Sequence, residues 1–168
     1  IHRKKFEDFE EDTKYDLILF SESFQYVKLE NALSQSARFL NNGGHLLICD
    51  FFRTDQPDRG PMGGGHRLSE FYEQVAGAPF RLVEDIDITE NTAPNIDLVN
   101  EFYLNVGKPV WNRFDDVLHG RRPLVHRFLH WKYRKKIDNL HHKYFSGERN
   151  AKNFKKYKSY RLLLLQKV

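Results

Sequence analysis

Four groups of side chains in this sequence have types and spacings that could do chemistry. Ser21-Glu22-Ser23, with Gln25 and Tyr26 close behind, follow directly on the apolar run Leu17-Ile18-Leu19-Phe20. Hydroxyls and a carboxylate at the end of such a run either cap a following helix or present polar and acid-base groups to a ligand. His66 comes straight after Gly63-Gly64-Gly65. Imidazole titrates near neutral pH and so suits a general base, while a hydrogen-bonded histidine at a helix start gives the same pattern. His126 and His130 are four residues apart, the spacing of zinc-binding helices. Arg127 follows His126 where such helices place glutamate, and no third ligand is apparent, so no metal is expected. Lys152, Lys155, Lys156 and Lys158 interleave with Phe154, Tyr157 and Tyr160. That pattern suits nucleic acid or an anionic membrane, and equally an exposed helix leading into an edge strand.

The elements that must position these groups follow from periodicity. Tyr15–Phe20 is a continuous apolar run behind an acidic approach and predicts a buried parallel strand. Leu29, Leu33, Ala37 and Leu40 recur at helical spacing, and Asn41-Asn42-Gly43-Gly44 supplies the turn that ends the helix. His45–Phe52 is a second strand, so strand, helix and strand make a βαβ unit with parallel strands. The Pro- and Gly-rich stretch from Arg53 to Gly65 predicts a loop, with Gly60–Gly65 a flexible rim, and Arg67–Ala76 a short helix. Phe80–Thr89 alternates apolar and polar residues, as a strand near a sheet edge does. Thr89–Thr92 reads as a turn, Ala93–Val106 as a helix, and the stretch from Gly107 through Pro109, Trp111 and Phe114 as a loop. A long helix runs from about Pro123 to Tyr144, with the stripe Val125, Leu129, Tyr133, Ile137, Leu140 and Tyr144. A short basic helix then precedes a last strand, Tyr160–Gln166, and the whole order predicts an α/β architecture.

Composition narrows the class. With 168 residues, 40% hydrophobic and 30% charged, the chain has the material for one domain with a buried core. No apolar run approaches the roughly 20 residues that span a bilayer. Ile1-His2-Arg3-Lys4-Lys5 leads into acidic residues and not into the apolar stretch of a signal peptide. The chain does not begin with Met, which suggests a start inside a longer protein. A single cysteine, Cys49, excludes an internal disulfide and fits a reducing, cytoplasmic setting. More than half of the 27 Lys and Arg lie from Arg121 onward, where only Asp138 and Glu148 oppose them. A basic end on an acidic body suggests an anionic partner, or a solvated basic helix docked on that body.

The order of these elements resembles class I S-adenosylmethionine-dependent methyltransferases. Tyr15–Val27 is similar to that family's fourth strand, whose YDLV start opens into a segment usually ending Glu-His-Val; here Gln25 and Tyr26 stand in place of Glu-His. Leu40–Ile48 resembles the family's turn into strand five, with Asn42 where proline is common. Phe80–Thr89 looks like strand six and Ser159–Lys167 like the antiparallel closing strand. The resemblance implies a partial Rossmann-like sheet, strands four to seven, with a helical lid inserted at residues 90–157. It implies that Tyr160–Gln166 runs antiparallel between His45–Phe51 and Phe80–Thr89, and that the inserted helices cover the carboxyl ends of the strands.

The resemblance also implies roles. The cofactor would be S-adenosylmethionine, with Phe20, Ser21, Glu22 and Ser23 beside it and Asp50–Arg53 nearby. Gln25, Tyr26, Asn91, Tyr103 and Trp111 would contact a small-molecule or lipid-like acceptor. His66, Glu22 and Tyr26 are the candidates for an acid-base role. The family's glycine-rich cofactor loop, with the acidic residue that holds the ribose, has no counterpart here, so the chain corresponds to the C-terminal half of such a domain. Alone it is expected to be inactive and not to bind the cofactor. A different class of function, a non-catalytic basic module for nucleic acid or an anionic membrane, is the alternative reading of the charge distribution; nucleic acid is not an expected partner, and peripheral membrane contact stays open beside a plain solvated helix.

Overall fold

The computed structural model describes residues 3–58 and 60–168. It divides into a sheet unit, running to Thr92 and resuming at Lys155–Val168, and a helical unit, Ala93–Phe154. The elements are β1 (Tyr15–Ser21), α1 (Leu29–Phe39), β2 (Leu40–Arg53), α2 (Leu68–Ala76) and β3 (Phe80–Asp87). There follow α3 (Thr89–Phe102), α4 (Lys108–Arg121), α5 (Pro123–Phe145), α6 (Ala151–Tyr157) and β4 (Lys158–Lys167).

The sheet has the order β1-β2-β4-β3. β1 and β2 are parallel, with Phe20 opposite Ile48, as the βαβ pattern requires. β4 is antiparallel to both neighbours, pairing Ile48 with Leu163 on one side and Ile86 with Leu162 on the other. The last strand therefore lies where the family resemblance puts it, and β3 is at an edge.

Strand alternation sorts the side chains onto two faces. Phe20, Leu46, Ile48, Phe52, Leu163 and Leu165 are buried together with Leu29, Ala32 and Leu33 of α1 and Phe71 and Val75 of α2. Phe24 joins them, its ring 5.4 Å from Phe20 and 5.9 Å from Phe71. Each such side chain contributes about 1.5–3 kcal/mol when fully buried, so this face carries the stability of the unit. The other face is different. Leu17 and Leu19 are 54% and 56% exposed. The expectation of a strand buried on both faces is thus corrected for β1: α1 and α2 pack on one face only.

The expected turn Asn41–Gly44 lies inside β2, which already starts at Leu40, and shows there as an irregularity in pairing: Tyr15 faces Leu40 and Leu17 faces His45. Gly43 has φ +79°, which favours glycine. A Cβ on Gly44 would meet the carbonyl oxygens of Asn41, Asp16 and Tyr15 at 3.0–3.2 Å.

In the helical unit, α3 runs through a π-helical turn, Tyr103–Gly107, into α4. Two expectations fail here. Thr89–Thr92 is helical, because the Asp87 carboxylate accepts the Thr89 N–H at 2.9 Å and so caps the chain entering α3. The stretch from Gly107 is helical as well: Gly107 and Lys108 keep right-handed helical backbone, so the chain passes from the π-helical turn into α4 without a break, with Pro109 just inside it. α4 and α5 contain no buried residue among those described. Ring contacts join the helices: Tyr103 with Tyr144 at 5.0 Å, and Trp111 with His141 at 5.4 Å. Among the described residues, no helix is long and apolar enough to cross a membrane.

Candidate active site

Parallel strands leave a crevice at their carboxyl ends, where the chain departs toward different elements. In the sheet unit those ends are Ser21 of β1 and Arg53 of β2, and the antiparallel β4 begins beside them, with Arg53 opposite Lys158. The chemistry-bearing residues collect there.

Glu22 has φ +54°, which makes it the non-glycine residue in the left-handed region among those described. A β-carbon in that region costs roughly 1–2 kcal/mol, so other interactions must hold it. Its N–H donates to the Cys49 carbonyl at 2.9 Å, and its carboxylate accepts the Tyr160 hydroxyl. Burial, then the bond to Glu22, pushes the Tyr160 phenol well above the usual tyrosine range. The Cys49 thiol is 4.0 Å from the same hydroxyl.

Asp50 lies one residue further along β2 and is 1% exposed. Its carboxylate accepts the Gln25 N–H at 3.1 Å, the Gln25 Nε2 at 3.3 Å and the Phe51 N–H at 2.8 Å. Burial raises its pKa, and the backbone amides of Gln25 and Phe51 oppose that rise. The bonds fix the turn Phe24–Tyr26 against β2. Gln25 is therefore held from two sides, while Tyr26, 79% exposed, projects from the turn. Ser21 and Ser23 are exposed as well. Ser23 precedes the turn without capping it by its side chain, so capping does not account for its hydroxyl. The Phe20 side chain is in the core, 5.0 Å from Phe6, which leaves its backbone to face a ligand.

His66 Nε2 lies 2.9 Å from the Val27 carbonyl and 3.3 Å from the Phe24 carbonyl. A carbonyl only accepts, so Nε2 carries the proton and Nδ1 is the nitrogen left for a base. The ring pins the end of the Phe24–Tyr26 turn.

The glycine loop is tied to the strands by side-chain hydrogen bonds. Lys158 Nζ donates to the carbonyls of Gly63 and Gly64 at 3.2 and 2.5 Å. Arg53 Nε donates to Gly65 at 3.1 Å, and the Arg53 N–H donates to His66 at 2.7 Å. Lys158 is 1% exposed and lies over the Phe51 ring at 5.0 Å. Burial, then the neighbouring Arg53, lowers its pKa to about 8. A Cβ on Gly64 would come within 2.5 Å of Gln25 Oε1, so the loop is fitted directly against that side chain. Lys158 and Tyr160 escaped sequence reasoning as site residues. The available signal was a lysine shortly ahead of the apolar run Leu162-Leu163-Leu164-Leu165.

The basic-aromatic pattern resolves differently from a binding patch. Phe154, Tyr157 and Tyr160 are buried, Lys155 pairs with Glu90 at 3.1 Å, and Lys156 donates to the Tyr157 hydroxyl at 2.8 Å. β4 is central, not an edge. A cleft of about 580 Å³ opens beside it, lined by Thr54, Asp87, Thr89, Lys155, Lys158 and Arg161 among others. Burial pushes the Asp87 carboxyl up, but bonds from Thr89 and the charge of Arg161 outweigh it and hold the carboxyl below its usual range. Asn91 lies exposed in α3. Tyr103 and Trp111 belong to the helical unit, in the ring contacts already described.

No family model and no curated protein matches the sequence. Solved structures match its fold. One is the O-methyltransferase from a trans-AT PKS multienzyme of Brevibacillus brevis in complex with S-adenosyl-L-homocysteine: TM-score 0.54, 17% identity, 99% of this chain and 48% of that one. A second is geranyl diphosphate C-methyltransferase from Streptomyces coelicolor, with Mg2+, geranyl diphosphate and S-adenosyl-L-homocysteine: TM-score 0.56, 16% identity, 98% of this chain and 52% of that one. A third is a cyclase of the 4+2 type, SpnF: TM-score 0.56, 17% identity, 98% of this chain and 55% of that one. This chain spans about half the length of each.

Proposed function

We propose that this chain, which has the class I methyltransferase fold, works within a longer protein that transfers a methyl group from S-adenosylmethionine to a small-molecule or lipid-like acceptor. The observation that carries the reading is the site at the carboxyl ends of β1 and β2. There a residue is held in a strained conformation, Glu22, and a buried carboxylate, Asp50, spends its acceptor capacity on orienting Gln25. Strain and buried polar groups of this kind concentrate where a ligand must be met in one geometry. Structural neighbours that carry S-adenosyl-L-homocysteine support the choice of cofactor. The fold alone does not fix the chemistry, since the cyclase shares it.

The residues present fit one wall of a cofactor site. Ser21, Glu22 and Ser23 offer hydroxyls and a carboxylate at the end of β1, whereas the glycine-rich loop and ribose-binding acid of the family have no counterpart in the sequence. When bound, the cofactor supplies an electrophilic methyl group. This chain's own part is to orient. Asp50 and His66 fix the Phe24–Tyr26 turn, Lys158 and Arg53 hold the glycine loop against Gln25, and Glu22 accepts the Tyr160 hydroxyl and so fixes its direction.

Calorimetric titration with S-adenosylhomocysteine tests the reading. The longer protein is expected to bind it, and Glu22→Ala to weaken that binding. This chain by itself is expected to show no binding in the micromolar range. Micromolar binding by the chain alone would mean that the cofactor grip lies elsewhere in these residues. Failure of the longer protein to bind would remove the methyltransferase reading.

A further inference from the structure

We propose that Asp115, His126 and His130 form a binding site for a divalent transition-metal ion of the zinc class, with His119 orienting His126. The site is built from two helices that follow one another closely. α4 carries Asp115 and His119 four residues apart, and α5 carries His126 and His130 four residues apart. Four residues is just over one helical turn, so each pair shares a face. Arg122 alone separates the helices, and the two faces meet. The third ligand that the sequence did not reveal is Asp115, on the helix that replaced the expected loop.

The geometry is convergent. His126 Nε2 lies 3.0 Å and His130 Nε2 2.8 Å from the same oxygen, Asp115 Oδ1. All three ligand atoms fall within 4.8 Å of one another, the one such group found among the described residues. Tetrahedral zinc with ligand bonds near 2.0–2.1 Å separates its ligand atoms by about 3.3 Å, so small side-chain rotations would admit an ion. The His126 and His130 rings are stacked, their centroids 4.1 Å apart and tilted by 30°.

A ligating histidine usually commits its other ring nitrogen to a partner that fixes tautomer and orientation. His126 has that partner: its Nδ1 is 3.5 Å from His119 Nδ1, and the two rings meet edge to face at 4.9 Å. His119 is a positioning residue, because it reaches the nitrogen of His126 that the ion would not use. Two imidazoles and one carboxylate suit zinc and its neighbours and not calcium or magnesium, which prefer oxygen. Three protein ligands leave a fourth position for water or another donor.

The helices also have reason to need such a link. Neither α4 nor α5 buries a residue. Small units with little core are commonly held by a disulfide or a metal ion, and the sole cysteine, Cys49, is in the sheet unit. An ion bound by both helices would join them where hydrophobic contact is sparse.

Titration of the chelator-treated chain with Zn2+ tests the proposal. One ion per chain is expected, with a raised melting temperature, and no comparable response to Mg2+ or Ca2+. Asp115→Asn, His126→Ala and His130→Ala should each weaken binding at least tenfold, and the double variant H126A/H130A should abolish it. His119→Ala should weaken binding roughly 10- to 100-fold and alter the visible spectrum of the Co2+ form, which loss of a merely structural contact would not do. Circular dichroism shows whether each variant keeps its helices, and these side chains are partly exposed, so substitution is tolerated. His142→Ala is the control, since His142 also lies on α5 but faces Glu148, beyond the end of that helix, at 3.5 Å. Absence of saturable Zn2+ binding overturns the proposal. So does binding that survives H126A/H130A or that is lost with His142→Ala.

Discussion

Lys158 is at once a buried tether of the glycine loop and a group whose proton affinity folding changes. It gives two hydrogen bonds to the glycine loop, yet its ammonium is withdrawn from water and its pKa falls from 10.5 to about 8. The folded state therefore releases this proton more readily than the unfolded state. Between about pH 8 and 10.5 the unfolded chain binds more protons, so stability from this group rises with pH across that window. Below pH 8 both states are protonated and the desolvation cost is constant. Lys158→Met removes the titrating group. Thermal melts of wild type and Lys158→Met across this range should show the difference moving in favour of wild type as pH increases. A difference that stays flat would mean that Lys158 is ordinarily solvated.

At the scale of elements, α1 contains a correctable flaw. Ser36 is fully buried, and its hydroxyl has no hydrogen-bond partner among the described residues. Ser36→Ala removes an unsatisfied polar atom and improves helix propensity, so a gain of about 0.5–1.5 kcal/mol is expected in denaturant unfolding. Elements whose pattern is long and regular were legible from sequence. β1, α1 and β4 fall within a few residues of expectation, because apolar spacing there follows from which side faces the core; α5 also keeps its expected bounds, from Pro123 at its first turn, although it buries no residue. The failures have local causes. Pro109 reads as a loop residue until its place in the first turn of α4 is known, and that one misreading hid Asp115 from His126 and His130. Glu22 was legible as a site residue, but its partner Tyr160 lies 138 residues away, and pairing at that distance has no signature along the chain. Lys158 looked like one more member of a basic surface, since nothing in its neighbours' spacing announces that it is buried.

For the whole molecule, the uneven covering of the sheet matters most. Leu17 and Leu19 are more than half exposed on β1, which has β2 as its one partner among the described residues. An apolar strand with an open edge is a template for pairing with another chain. Leu17→Lys with Leu19→Lys should suppress concentration-dependent light scattering by this chain and shift its melting temperature little, because neither side chain contributes to the core. Persistent scattering in that variant would place the sticky surface elsewhere. The position of β4 has a consequence for how the protein is made. β2 and β3 do not touch as partners; β4 joins them, and His45 must find Gln166 across most of the chain. Ribosomes deliver β4 after every other element described here. Until Lys158–Lys167 clears the exit tunnel, β2 and β3 each wait with an unfilled edge, so the sheet closes only when β4 arrives. Until then the nascent chain keeps a form that chaperones would recognise, and a chain that stopped before Lys158 would hold β1–β2 and β3 with no strand joining them.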